Sequence, residues 1–160
     1  MKGVTVQGYS NDSCWARGQA WGIYGLALAY SYTRETQLID LYNKVTDCFI
    51  SRLPADFVPY WDMIFTDGDE PRDTSAATIA ACGILEMNRY VKNEAHMDIC
   101  MKMMQSMEAH YLTGEGSNTI LSDGMYSRPA GHKPEASMWG DYFYTEALTR
   151  INDPAWKRYW

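Results

Sequence analysis

Apolar and polar positions divide this chain into five helical stretches joined by loops. From Gly18 to Thr33 there is no charged residue, and Gly18, Ala20, Gly22, Gly25, Ala27 and Ala29 are small. That pattern predicts a helix from about Ala16 to Thr33 that is buried on most sides and closely approached by its neighbours. A membrane span needs about 20 apolar residues, and Gln19, Ser31 and several tyrosines interrupt this stretch. A second helix is predicted from Glu35 to Arg52, with the one-sided stripe Leu38, Leu41, Tyr42, Val45 and Phe49. The third begins near Asp73, whose carboxylate is suited to cap free backbone N–H groups. It runs through Ala76, Ala77, Ile79, Ala80, Ala81, Gly83, Ile84 and Leu85, small and apolar almost all round. The fourth, Asn93 to Tyr111, is one-sided again, with Met97, Cys100, Met104, Met107 and Tyr111 in its stripe. The fifth runs from Ser137 to Ile151. Turn formers Asp67, Gly68, Asp69 and Pro71 precede the third helix, and a Gly- and Pro-rich loop from Thr113 to Pro134 precedes the fifth.

The order is therefore buried, amphipathic, buried, amphipathic, buried, a weak repeat of roughly 55–65 residues that signals stacked helix pairs. The expected fold is all-α: αα-hairpins in a single domain over residues 1–160, an inner ring of apolar helices and an outer ring of one-sided ones, about half of a toroid. A partial ring leaves its inner helices open on one side, an apolar surface that soluble monomers avoid. The expected cover is a partner polypeptide or a second copy of the chain.

Composition narrows the function. A chain of 160 residues with 46% apolar and 21% charged residues is neither disordered nor fibrous. Its formal net charge of -6, without a basic cluster, speaks against nucleic acid. The 6 Trp and 12 Tyr against 4 Phe are unusual. Both types join a flat apolar face to a polar handle, as a sugar site requires, although a core of large residues has the same composition. Cys14, Cys48, Cys82 and Cys100 form no metal-binding pair, and the last three read as small core residues. His96, His110 and His132 have no metal-ligand spacing, and Met1 to Gln7 carries no apolar leader stretch.

The run Gln7-Gly8-Tyr9-Ser10-Asn11-Asp12-Ser13-Cys14-Trp15-Ala16-Arg17-Gly18-Gln19-Ala20-Trp21-Gly22-Ile23-Tyr24-Gly25 is specific. So are Leu53-Pro54 through Val58-Pro59-Tyr60-Trp61-Asp62, then Glu70-Pro71-Arg72-Asp73-Thr74-Ser75-Ala76-Ala77, then Ser137-Met138-Trp139-Gly140-Asp141-Tyr142-Phe143-Tyr144-Thr145-Glu146-Ala147-Leu148. In this order they closely resemble the C-terminal part of glycoside hydrolase family 88, the unsaturated glucuronyl hydrolases. The resemblance implies an (α/α)6 barrel and a substrate, the unsaturated uronyl oligosaccharides left by polysaccharide lyases. An acid protonates the carbon 4–carbon 5 double bond at carbon 4, and water adds at carbon 5. The hydrated ring opens and releases the sugar, with no metal or organic cofactor. The family's two catalytic aspartates lie upstream of the first motif, so no catalytic residue is assigned and this chain alone is expected to be inactive. Family members are cytoplasmic or periplasmic, and no membrane partner is expected.

What the resemblance carries over is substrate binding. Trp15, Arg17 and Trp21 match positions lining the uronate site, and Gln7 one beside it. Arg17 and Trp21 share a helix face. Arg17 is suited to a charge-assisted pair with the uronate carboxylate, or, in the plainer reading, to Asp12. The loop Tyr126-Ser127-Arg128-Pro129-Ala130-Gly131-His132-Lys133-Pro134 falls where members meet the leaving sugar, so Arg128, His132 and Lys133 would face a sulfate or carboxylate, or simply water. Asp62 reads as fixing its loop, and Asp141 and Glu146 as making buried pairs. Two other functions compete: a non-catalytic carbohydrate-binding or assembly module, and part of an unsaturated rhamnogalacturonyl hydrolase, against which the Ala16–Trp21 run speaks.

Overall fold

A computed structural model describes residues 4–158; Met1 to Gly3, part of the stretch read for a leader, lie outside it. Among the described residues are five helices: α1 (Ala16–Thr33), α2 (Gln37–Ile50), α3 (Thr74–Met87), α4 (Glu94–His110) and α5 (Met138–Asn152). Among the described residues there is no sheet, only isolated bridges between loops. None of these helices is long and apolar enough to cross a membrane.

Each helix begins and ends close to where the pattern places it, for local reasons. Asn93 caps α4 by accepting from the His96 N–H at 3.1 Å, and Ser137 caps α5 by accepting from Gly140 at 3.2 Å. α1 stops where Arg34 turns left-handed at φ 60°.

α3 is the centre. It packs against α1, α4 and α5, and all 14 of its residues are buried. Gly83 permits the close approach of α1, since a Cβ there would stand 2.8 Å from the Tyr24 backbone. α1, α3 and α5 form the inner layer and run in one direction. Their first turns meet where Arg17 reaches Ser75. The last turns of α3 and α5 meet where Arg150 donates to Glu86 at 2.6 Å, and Tyr24 of α1 donates to Glu146 of α5 at 2.7 Å. α2 backs α1 and α4 backs α3. This is the expected all-α half of an (α/α)6 toroid.

Four expectations need correction. α1 and α5 are not buried on most sides: Trp21 is 41% exposed, and Tyr32, Met138, Tyr142 and Leu148 also face outward. Only α3 has an inner helix on both flanks, so only α3 is enclosed. Leu41 and Cys48 point outward from α2, where Thr46 joins Tyr42 and Phe49 in the core. Asp73 occupies the cap position of α3, but its side chain makes no capping bond; it turns toward Arg17. Asp141 makes no buried pair. Its carboxylate instead accepts from the backbone of Ile120 at 3.1 Å and Leu121 at 2.9 Å, whereas Glu146 is buried and paired as read.

Candidate functional site

The N-terminal ends of the inner helices carry the first, third and fourth motif runs, and the loops there, which hold the second run, are knitted together. Trp15 bridges Asp62 and Tyr60 bridges Arg72, while Gly124 bridges Glu135. The Ala16 N–H donates to Trp61 at 3.1 Å and the Thr74 N–H to Asp123 at 3.1 Å. Asp62 is fully buried and accepts from the Tyr9 N–H at 2.8 Å, the Ser13 hydroxyl at 2.7 Å and the Ile64 N–H at 3.0 Å. It fixes its own loop through Ile64, as read from the sequence, and also the 4–13 loop through Tyr9 and Ser13.

Arg17 lies in the first turn of α1 and is buried. Its Nη1 donates to the Ser75 hydroxyl at 3.0 Å, and its Nη2 to the carbonyls of Met125 at 2.9 Å and Tyr126 at 2.7 Å. The carboxylate it meets is Asp73, at 3.8 Å, and not the exposed Asp12. Burial pushes the Asp73 carboxyl above the usual range, against the pull of Arg17 and of the Ser75 hydroxyl. The guanidinium also stands 5.0 Å from the Trp15 ring and 5.4 Å from the Trp139 ring, within cation–π range.

From Trp139 the aromatic surface continues outward. Tyr126 lies 5.7 Å from Trp139, and His132 packs its edge on Tyr126 at 5.0 Å. The Trp139 indole nitrogen is buried without a hydrogen-bond partner. Thus Trp15, Arg17, Tyr126 and His132 come together through Trp139, which the sequence reading passed over. Its one signal was its place in the fourth motif. Ser127 is buried beside them, and its carbonyl accepts from the His132 N–H at 3.2 Å. Trp21 sits one turn further along α1, edge-on to Phe143 at 5.2 Å. Gln7 is half-buried, with its side-chain oxygen inaccessible and unpartnered.

Arg128 belongs to an adjoining open cleft of about 320 Å³, shared with Gly8, Tyr9, Trp61 and Glu70. Glu70 accepts from the Trp61 indole at 3.0 Å. Lys133 is exposed. His132 has Glu135 at 3.6 Å. Among the described residues no group of three His, Cys, Asp or Glu side chains is placed to hold a metal ion.

The arrangement offers flat aromatic faces, hydrogen-bonding edges and cations on one end of the inner layer, the surface that saccharide recognition requires. The model of a family described as Glycosyl Hydrolase Family 88 matches residues 3–155. An unsaturated chondroitin disaccharide hydrolase of Streptococcus pneumoniae is 46% identical over the whole chain, and an unsaturated glucuronyl hydrolase of Bacillus sp. (strain GL1) is 34% identical over 94% of it. The chain spans 42% of the length of each. A crystal structure of a mutant unsaturated glucuronyl hydrolase from Streptococcus agalactiae, complexed with dGlcA-GalNAc6S, superimposes with a TM-score of 0.93 at 45% identity. It covers all of this chain and 45% of that one.

Proposed function

The chain belongs to glycoside hydrolase family 88, and from that premise we propose that it is the substrate-holding C-terminal part of an unsaturated glucuronyl hydrolase. The reaction is hydration of the carbon 4–carbon 5 double bond of an unsaturated uronic acid at the end of a lyase-derived oligosaccharide. Protonation at carbon 4 leaves positive charge at carbon 5, where a base-activated water adds; the hydrated ring then opens and the sugar departs.

In this proposal Trp15 and Trp21 pack against the uronate ring, and Gln7 hydrogen-bonds it. Arg17 supplies positive charge beneath the carboxylate and holds the 126–134 loop in place. Tyr126, Ser127, Arg128 and His132 meet the following sugar, with Arg128 and His132 oriented toward a sulfate or carboxylate on it.

The observation that carries the proposal is the stack of Trp15, Arg17, Trp139 and Tyr126 across three sequence-distant segments. The carboxylates support the second half of the reading, that the acid comes from elsewhere. Asp62 and Asp73 are fully buried, Asp141 holds two backbone N–H groups, and Glu146 is tied to Arg150 and Tyr24. A group so engaged is poorly placed to pass a proton to substrate. The chain by itself is therefore proposed to bind without turnover, and to work with a polypeptide supplying the remaining part of the barrel. The competing non-catalytic module predicts the same binding but no gain of activity with such a partner.

Binding is tested by tryptophan fluorescence on titration with an unsaturated chondroitin disaccharide. The expected result is a saturable change, weakened at least tenfold by Trp21→Ala, with thermal unfolding of the variant checking that it remains folded. No change with the unsaturated disaccharide, or equal binding of a saturated neutral disaccharide, overturns the assignment.

A further inference from the structure

The opposite end of the inner layer, where α1, α3 and α5 finish, holds a second cleft, of about 320 Å³, between Tyr32, Arg89, Tyr90, Lys157 and Arg158. That volume is at the lower end of ligand-sized pockets. The cleft is cationic in a chain whose net charge is -6. One buried carboxylate, Glu86, lies beneath it and is shared by three arginines: Arg150, Arg158 and, at 3.8 Å, Arg89. Arg150 is further tied to Glu146. Two carboxylates thus meet three guanidiniums, and the rim adds more positive charge. Arg34 stands 4.0 Å over the ring of Tyr90 and is exposed. Among the described residues neither Arg34 nor Lys157 has an ion-pair partner.

Flat rings and cations are combined here a second time, on exposed side chains. Tyr32 is 67% exposed, with Arg158 at 4.7 Å from its ring. An aromatic face suits the apolar side of a pyranose, and unpaired ammonium and guanidinium groups suit its carboxylate or sulfate. We propose that this cleft is a second binding site for an anionic saccharide, carrying a uronate or sulfate group, remote from the Trp15–Trp139 site. It would retain the chain on the polymer whose fragments the first site takes. The cationic cleft stands on its own geometry; the choice of a saccharide as its ligand rests on the proposed function.

The test is calorimetry of the 160-residue chain with a saturated chondroitin 6-sulfate tetrasaccharide, which lacks the double bond. Binding is expected, weakening as salt is raised. The double variant Arg34→Asn/Lys157→Glu is expected to reduce affinity at least tenfold without altering the melting temperature. Both side chains are exposed, and Asn tolerates the left-handed backbone at position 34. The same variant is expected to bind the unsaturated disaccharide like the unaltered chain. Unchanged tetrasaccharide affinity in the variant overturns the proposal. So does equal binding of neutral cellotetraose, or displacement of the tetrasaccharide by inorganic phosphate at lower concentration, which would mark a phosphate site. If the unsaturated disaccharide does not bind but the variant still abolishes tetrasaccharide binding, the cleft stands and the proposed function falls.

Discussion

Arg17 and Tyr126 are joined across most of the chain: the Arg17 Nη2 donates to the Tyr126 carbonyl at 2.7 Å. This contact and its neighbour to Met125 tie the first turn of α1 to the loop that carries four of the proposed substrate contacts.

Arg17→Ala is expected to destabilise the fold by about 3–5 kcal/mol, because it strips Asp73 of its buried counter-charge. Arg17→Lys keeps the charge but loses the planar fork that reaches two carbonyls and Ser75. It is expected to cost about 1–3 kcal/mol for buried acceptors left unpaired. Urea unfolding measures both, and proteolysis within 126–134 should accelerate in each variant.

Glu86 is expected to make stability depend on pH in acid. Burial opposes its charge, but Arg150 and Arg158 outweigh burial and hold its carboxyl below the usual range. A carboxylate with a lowered folded value contributes stability above its unfolded value and loses it as pH falls through the folded one. Glu86→Gln is expected to lower stability at pH 7 by about 3–5 kcal/mol. It should also flatten the pH dependence below pH 5, as read by urea midpoints at successive pH values.

Gly83→Ala probes the contact between α1 and α3. The added carbon would meet backbone atoms of Tyr24 at 2.8 Å, and backbone yields less readily than a side-chain tip. The expected loss is about 1–3 kcal/mol, despite the better helix propensity of alanine. An unchanged melting temperature would show that the two helices can separate freely.

Self-association through the outer flanks of α1 and α5 is expected. Trp21 on one helix, with Met138, Tyr142 and Leu148 on the other, are exposed. Light scattering is expected to give a dimer or larger species, shifted toward monomer by Trp21→Ala with Met138→Lys. A monomer that binds no dye for apolar surface would contradict this.

The helices were legible because their apolar spacing and caps are local properties: Asn93 and Ser137 act where the sequence places them. Enclosure was not, because the small apolar residues of α1 resemble those of α3, and only the neighbours decide which helix is surrounded. Cys48 and Leu41 misled for a related reason, each lying at the margin of a true stripe. The site was legible in its motifs but not in its connections. Nothing local to Asp73 reveals that its carboxylate turns from its helix cap to a guanidinium on α1. Nor does the sequence near Trp139 show that it closes a stack begun by Trp15. Such contacts join segments far apart in the chain, as the bond from Arg17 to Tyr126 does.

The most direct measurement is the ultraviolet absorbance of an unsaturated chondroitin disaccharide, whose conjugated double bond is erased by hydration. Mixed with this chain alone, the disaccharide should keep its absorbance. It should lose it once the N-terminal part of a streptococcal relative is added. Sustained loss with the chain alone would mean that one of its own carboxylates supplies the proton, and would contradict the account of a substrate-holding part that needs a partner.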